Sequence, residues 1–308
     1  MSYSFKASDS DIQSGLRRIA LDQIDAGLSE IDDETLSRAE RIHQVRKRCK
    51  KIRALVRLVR PVFPDYETEN AAFRDAARLL SDVRDAGALV ETCDRIDAHF
   101  RDVLYKAALR PIRQEFVARA RDREQAEDLD DRMDRMRQTL RDGRERAVKW
   151  RVQAEGSDAW TGGLAKTFGR ARAGMSKARK TPKARILHDW RKRVKYHRYH
   201  ARLLKGINGD LMPPHVELAD RLSDTLGEHH DLHVMLGETE TLSETIAPVR
   251  LDAFRALLAE RQRGLEGQAF DLGELLLTEP PKGIASRFSA YWEVWHTEAD
   301  QQEAKGAV

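Results

Sequence analysis

The feature that most constrains this chain is a cationic pattern written twice. From Arg41 to Arg60 it reads RIHQVRKRCKKIRALVRLVR, with nine Lys or Arg, one His and no acid. Placed on a wheel at about 100° per residue, His43, Arg46, Lys47, Lys50, Arg53 and Arg57 take one side. Val45, Cys49, Ile52, Val56 and Val59 take the other. A helix separates these two sets, and a helix packed on a core puts the second to use. About 20 residues of helix run for roughly 30 Å, so the cations form a stripe rather than a spot.

The second copy is KARILHDWRKRVKYHRYHARLLK, Lys183–Lys205, with nine Lys or Arg and a single acid, Asp189. A shift of 145 residues sets His43 on His188, Arg46 on Arg191, Lys47 on Lys192, Lys50 on Lys195, Arg53 on Arg198 and Arg57 on Arg202. Of the sixteen positions from His43 to Leu58, eight are identical in the second copy, and seven of those are His, Lys or Arg. The apolar back has drifted while the cationic front has been kept. Two unrelated surface helices would show the reverse.

Charge elsewhere sharpens the point. The two segments carry +9 and +8 against a net of +4 for the whole chain, which leaves −13 on the rest. A general coat for nucleic acid is expected to be basic overall, so this distribution points to a confined anion site. Like charges on one face repel, and such a face is weakly specified without a partner. Helix formers dominate a chain with only nine prolines, and no convincing alternating strand pattern occurs. The fold class expected is all-α, a duplicated helical bundle. No apolar run approaches the ~18 residues of a membrane span, and the first residues lack the apolar core of a secretory signal. Two cysteines, Cys49 and Cys93, suit a reducing compartment, so a cytoplasmic protein is expected.

Periodicity places a helix over residues 8–29, the first basic helix stopped by Pro61 and Pro64, and a helix over 69–83. A corner is expected at Arg84–Gly87, then a helix through Leu104 and helical sequence over 111–152. Ala154–Gly163, with three glycines, marks the boundary between a first half, 1–153, and a second, 154–308. Beyond it come a helix at 164–180, the second basic helix, a break at Pro213–Pro214, a helix at 216–226, and the run HHDLHVML. That run lies opposite RDAGALV when Asp231 is set on Asp85. A helix at 250–277 and an aromatic helix with Phe288, Tyr291, Trp292 and Trp295 close the chain.

The run HxxRKRxKxxRxxxRxL, at His43–Leu58 and again at His188–Leu203, resembles the CHAD family, the conserved histidine α-helical domain. LLSDVRDA (79–86) and LGEHHDLHVML (226–236) resemble that family's second motif, and GGLAKTFGRAR (162–172) the segment before its second basic helix. The resemblance implies two four-helix bundles related by a pseudo-twofold axis, with a basic groove or pore between them. It also implies non-catalytic binding of inorganic polyphosphate and association with polyphosphate granules. Carried over residue by residue, the polyphosphate ligands are His43, Arg46, Lys47, Lys50, Arg53 and Arg57 with His188, Arg191, Lys192, Lys195, Arg198 and Arg202. A second tier holds Arg84 with His230, and Lys166 with Arg170. Forked Arg donors and movable Lys charges suit phosphate oxygens. Arg48 and Arg193 fall toward the apolar flank and are expected to reach acids on neighbouring helices.

Three other readings stay open on the residues alone. His229, Asp231 and His233 place two His at i, i+4, a spacing that binds zinc, although the Asp points away and the nearby cations repel a metal. A cationic stripe also fits a nucleic-acid backbone, but stacking aromatics occur only in the second copy, as Tyr196 and Tyr199. A polyphosphate-processing enzyme needs carboxylates beside the clamp. Asp85 and Asp231 are the candidates, and orienting the cations is the preferred role for both. No cofactor, no metal and no membrane partner is expected.

Overall fold

The computed structural model describes residues 3–104 and 108–306, with side chains described as far as Glu298. The described residues form eleven α-helices and no strand, as the sequence implies. They are α1 (Ile12–Asp32), α2 (Arg38–Leu58), α3 (Tyr66–Leu79), α4 (Ser81–His99), α5 (Arg110–Glu124), α6 (Leu129–Ala147), α7 (Asp158–Lys180), α8 (Ala184–Leu203), α9 (Met212–Glu238), α10 (Pro248–Leu276) and α11 (Pro281–Gly306). Among the described residues no helix is long and apolar enough to cross a membrane.

The basic helices are α2 and α8. α2 starts before its stripe, at a capping box in which the Ser37 hydroxyl accepts from the Glu40 amide while the Glu40 carboxylate accepts from the Ser37 amide at 2.9 Å. Its back, Val45, Cys49, Ile52, Val56 and Val59, is fully buried, so the wheel reads correctly. Burying residues of this kind contributes about 1.5–3 kcal/mol for each large side chain, which holds the cations of the front in place.

Two hydrophobic cores organise the chain, and they run across the 153/154 boundary rather than along it. The larger takes Leu16, Ile52, Phe73 and Leu140 from the first half together with Trp160, Trp190, Leu226 and Phe288 from the second. The smaller joins Cys93, Ile96 and Phe116 of α4 and α5 to Leu232, Met235, Phe254 and Leu258 of α9 and α10. Long helices α9 and α10 therefore serve both cores. Both cysteines are free and buried, and burial pushes each thiol up to about 12.

Several boundaries differ from expectation for packing reasons. The corner falls at Leu80, not at Arg84–Gly87, because α4 runs straight through Gly87 and Leu80 is fully buried at the bend. Residues 111–152 are two helices, interrupted between Glu124 and Leu129 where neither Gly nor Pro signals a break. Pro213 and Pro214 do not break a helix but open α9, where a missing amide costs nothing. α9 then continues unbroken through HHDLHVML.

The glycines of the expected linker divide. Gly156 (φ 50°) makes the turn, whereas Gly162 and Gly163 lie inside α7. A Cβ on Gly163 would sit 1.7 Å from the Leu58 carbonyl oxygen, so this glycine lets α7 lie directly against the end of α2. The two halves are tied again where His200 Nε2 donates to the Ala54 carbonyl at 3.0 Å. Burial holds that imidazole neutral, at about 3. Near the N-terminus, the Phe5 amide bonds the Leu203 carbonyl at 2.9 Å and the Tyr3 hydroxyl the Lys51 carbonyl at 2.8 Å, a strap over both basic helices.

Gly163→Ala is expected to destabilise the protein by about 3 kcal/mol or more, the upper range for overpacking against unyielding atoms. Gly87→Ala, on a helix with nothing within 4 Å of the new Cβ, should gain up to about 1 kcal/mol. Urea denaturation midpoints of the two variants check the contrast.

Candidate functional site

α2 and α8 contribute to one cavity of about 510 Å³, completed by α3, α4 and α9. It opens where α9 passes from the larger core at Leu226 to the smaller at Leu232, between the two apolar anchors. Of the expected ligands, Arg46, Lys50 and Arg53 line it from α2, and His188, Arg191, Lys192 and Lys195 from α8. His230 of the second tier lines it too. The wall also carries Arg74 and Arg78 of α3, and among the described residues its acids are Asp85 and Asp231.

The repeat-related lysines, Lys50 and Lys195, both line it. Neither Lys50 nor Lys195 makes a hydrogen bond or ion pair to a described residue. Burial, then Arg46 and Arg191, lowers Lys50 to about 8. Burial, then Lys50 and Arg191, lowers Lys195 to about 7. Two cations from different halves of the chain therefore repel each other across one space. Arg46 is buried and donates to the Ala77 carbonyl. Its counterpart Arg191 is likewise shifted down by burial and partly restored by Asp231. Each of these two arginines keeps a buried Nε without an acceptor among the described residues.

The histidines repeat a contact as well as a position. Arg84 Nε donates to His43 Nδ1 at 2.8 Å, and His188 Nδ1 meets His230 Nδ1 at 3.1 Å. Arg84 and His230 are the residues that the Asp85–Asp231 register sets opposite each other. Burial and then the neighbouring Arg84 lower His43, while burial followed by Lys192 and Arg191 lowers His188. Both are neutral donors or acceptors unless an anion arrives.

Other expected ligands are placed elsewhere. Arg57 is buried, with Nη2 on Asn70 Oδ1 at 2.7 Å and its guanidinium 4.2 Å from the Tyr196 ring centre. Arg198 bonds Asp220 at 2.7 Å and Asp224 at 2.6 Å, and Arg202 bonds Asp220 at 2.7 Å. Neither lines the cavity. Lys47 is exposed beside Gln44, and Lys166 and Arg170 are exposed on α7. Arg48 does reach an acid, Glu30, at 2.5 Å.

Of the two acids expected to orient the cations by salt bridge, Asp231 does so and Asp85 does not. Asp231 pairs at 3.2 Å with Arg95 of α4, and its burial raises its carboxyl. Asp85 is exposed and forms no ion pair with a described residue. Among the described residues no group of three or more His, Cys, Asp or Glu is arranged to hold a metal ion. Sequence reasoning missed Arg74 and Arg78, which lie outside both stripes; their phase on α3 with Ala77 was the available signal.

A family model for the CHAD domain matches residues 18–240 of the chain. Among solved structures, the crystal structure of the CHAD domain from the plant Ricinus communis is similar, with a TM-score of 0.56 and 19% identity over 90% of this chain and 96% of that one. Comparison with curated proteins returns no match.

The depressed lysines carry a stability cost with a defined sign. An unfolded lysine titrates near about 10.4. Between the folded values near 7 and 8 and that figure, the unfolded chain binds more protons, so stability rises with pH. Below pH 7 both ammonium groups are charged in the fold and the full cost is present. Lys195→Met should raise the melting temperature by a few degrees at pH 6.5, and the gain should shrink toward pH 9. Thermal scans of both proteins across that range check it.

Proposed function

The chain belongs to the CHAD domain family, and on that premise we propose that it binds inorganic polyphosphate without processing it, in the cavity shared by α2 and α8. The observation that carries this reading is the pair Lys50 and Lys195. Repeat-equivalent cations face one space without an ion pair to any described residue, and a polyanion would relieve both at once. A flexible phosphate chain presents oxygens at every step, which suits Arg forks and Lys charges distributed over three helices, α2, α3 and α8. A space of about 510 Å³ favours a bare phosphate chain over a nucleic-acid duplex.

A binding role, rather than turnover, is supported by the carboxylates. Metal-assisted phosphoryl transfer uses acids placed together at the reacting phosphate. Here Asp85 and Asp231 stand on different helices, and Asp231 is engaged by Arg95. Association with polyphosphate granules is the cellular setting that follows from binding of this kind.

Affinity for long-chain polyphosphate should fall steeply with salt, because contacted phosphates release counterions. About six contacted cations correspond to a log–log slope of roughly −4. Binding should also weaken as pH rises through 7 and 8, since the lysines must then take up protons to meet the ligand. Titrations at several salt concentrations and pH values, with duplex DNA as competitor, test the reading. A flat salt response, or DNA binding as tight as polyphosphate, would overturn it.

A further inference from the structure

The internal repeat is broken at one place where charge reverses sign. With Asp85 set on Asp231, a register of 146, the start of α3 at Tyr66 falls on the start of α9 at Met212. In that register Arg74 falls on Asp220 and Arg78 on Asp224. One turn apart in each half, the same two positions are cationic in α3 and anionic in α9.

The consequences differ on the two sides. Asp220 and Asp224 take up Arg198 and Arg202, through contacts of 2.6–2.7 Å. Four opposite charges cancel there. On the first-half side the equivalents of those arginines, Arg53 and Arg57, share the neutral Asn70 Oδ1, at 3.3 and 2.7 Å. Arg74 and Arg78 stand beside them on the cavity wall with Arg53. The acid paired with them, Asp75, is exposed and holds Arg74 at 2.7 Å and Arg78 at 3.4 Å. Among the described residues these four cations form ion pairs with a single carboxylate, Asp75, whereas Arg198 and Arg202 have two, Asp220 and Asp224.

From this reversal we infer that the site is directional: a polyanion seated in the cavity continues over the α2–α3 side, across Arg53, Arg74 and Arg78, and is turned away from the α8–α9 side by Asp220 and Asp224. Arg74 and Arg78 are then binding residues that the paired stripes do not contain. Arg198 and Arg202, which the stripes do contain, are structural. An exposed carboxylate repels phosphate over roughly a Debye length, about 8–10 Å at ordinary salt. Asp224, two-thirds exposed at its side chain, is placed to do so.

This inference rests on the polyphosphate reading, and the experiment separates the two. Long-chain polyphosphate and tripolyphosphate are titrated into the wild type, an Arg74→Gln/Arg78→Gln variant and an Asp220→Asn/Asp224→Asn variant, each first shown by circular dichroism to keep its helix content. Removing the α3 arginines should weaken long-chain binding about tenfold or more and flatten the salt slope by roughly 1.4, two contacts' worth. Tripolyphosphate, which has fewer phosphates to share among the wall's cations, should lose less affinity than the long chain. Neutralising the α9 acids should free Arg198 and Arg202, tighten long-chain binding and steepen the slope. A wild type that binds no polyphosphate would defeat the functional reading itself. A wild type that binds, with long-chain affinity unchanged in the α3 variant or unchanged or weakened in the α9 variant, would overturn directionality alone.

Discussion

Like charges forced together across a shared space are what the rest of this structure depends on. Lys50 and Lys195 come from stripes 145 residues apart; Lys50 depresses Lys195, and Arg191 of the second stripe depresses Lys50. Nothing in their own electrostatics would bring them together. Apolar packing behind them does so: the buried back of α2, the close approach of Gly163 to Leu58, and the His200–Ala54 hydrogen bond fix α2 against α7 and α8. The fold thus holds a repulsive arrangement that a polyanion would turn into an attractive one. Sites that bind strongly are often built this way, with stability given up locally for preorganised charge.

Duplication supplies the geometry, and divergence supplies the differences between the two walls. Each half contributes one amphipathic helix and one histidine contact, His43–Arg84 and His188–His230. After that the halves part. α3 and α4 bend at Leu80 where α9 runs on, and α5 and α6 are separate helices where α10 is one. The smaller core joins the tips of both halves, so the two repeats are interlocked at two levels, and the cavity lies between those levels.

The helical class, the apolar backs and the cationic fronts were legible because period 3.6 writes them directly into spacing. Seven of the twelve expected ligands line the cavity on the strength of that pattern. The rest were not legible from one helix at a time. Whether Arg198 and Arg202 point at a ligand or at Asp220 and Asp224 is decided by α9, which the stripe does not mention. Gly162 and Gly163 resemble a linker, since a glycine chosen for close approach looks the same in sequence as one chosen for freedom. Gly87 is the converse, a glycine inside a helix that turns nothing. The reversal of Arg74 against Asp220 was within reach, but only at a register of 146. The loop between α8 and α9 is one residue longer than that between α2 and α3, so the 145 register of the stripes hides it.

That both repeats hold one ligand is the central claim, and isothermal titration with a fixed-length polyphosphate tests it most directly, using Lys50→Gln and Lys195→Gln. Both side chains are partly exposed, and neither substitution removes a hydrogen bond or ion pair to a described residue. A shared site predicts one binding event per chain in the wild type, and weaker affinity with unchanged stoichiometry in each variant. Two events per chain in the wild type, with one lost and the other kept at full strength in either variant, would contradict it.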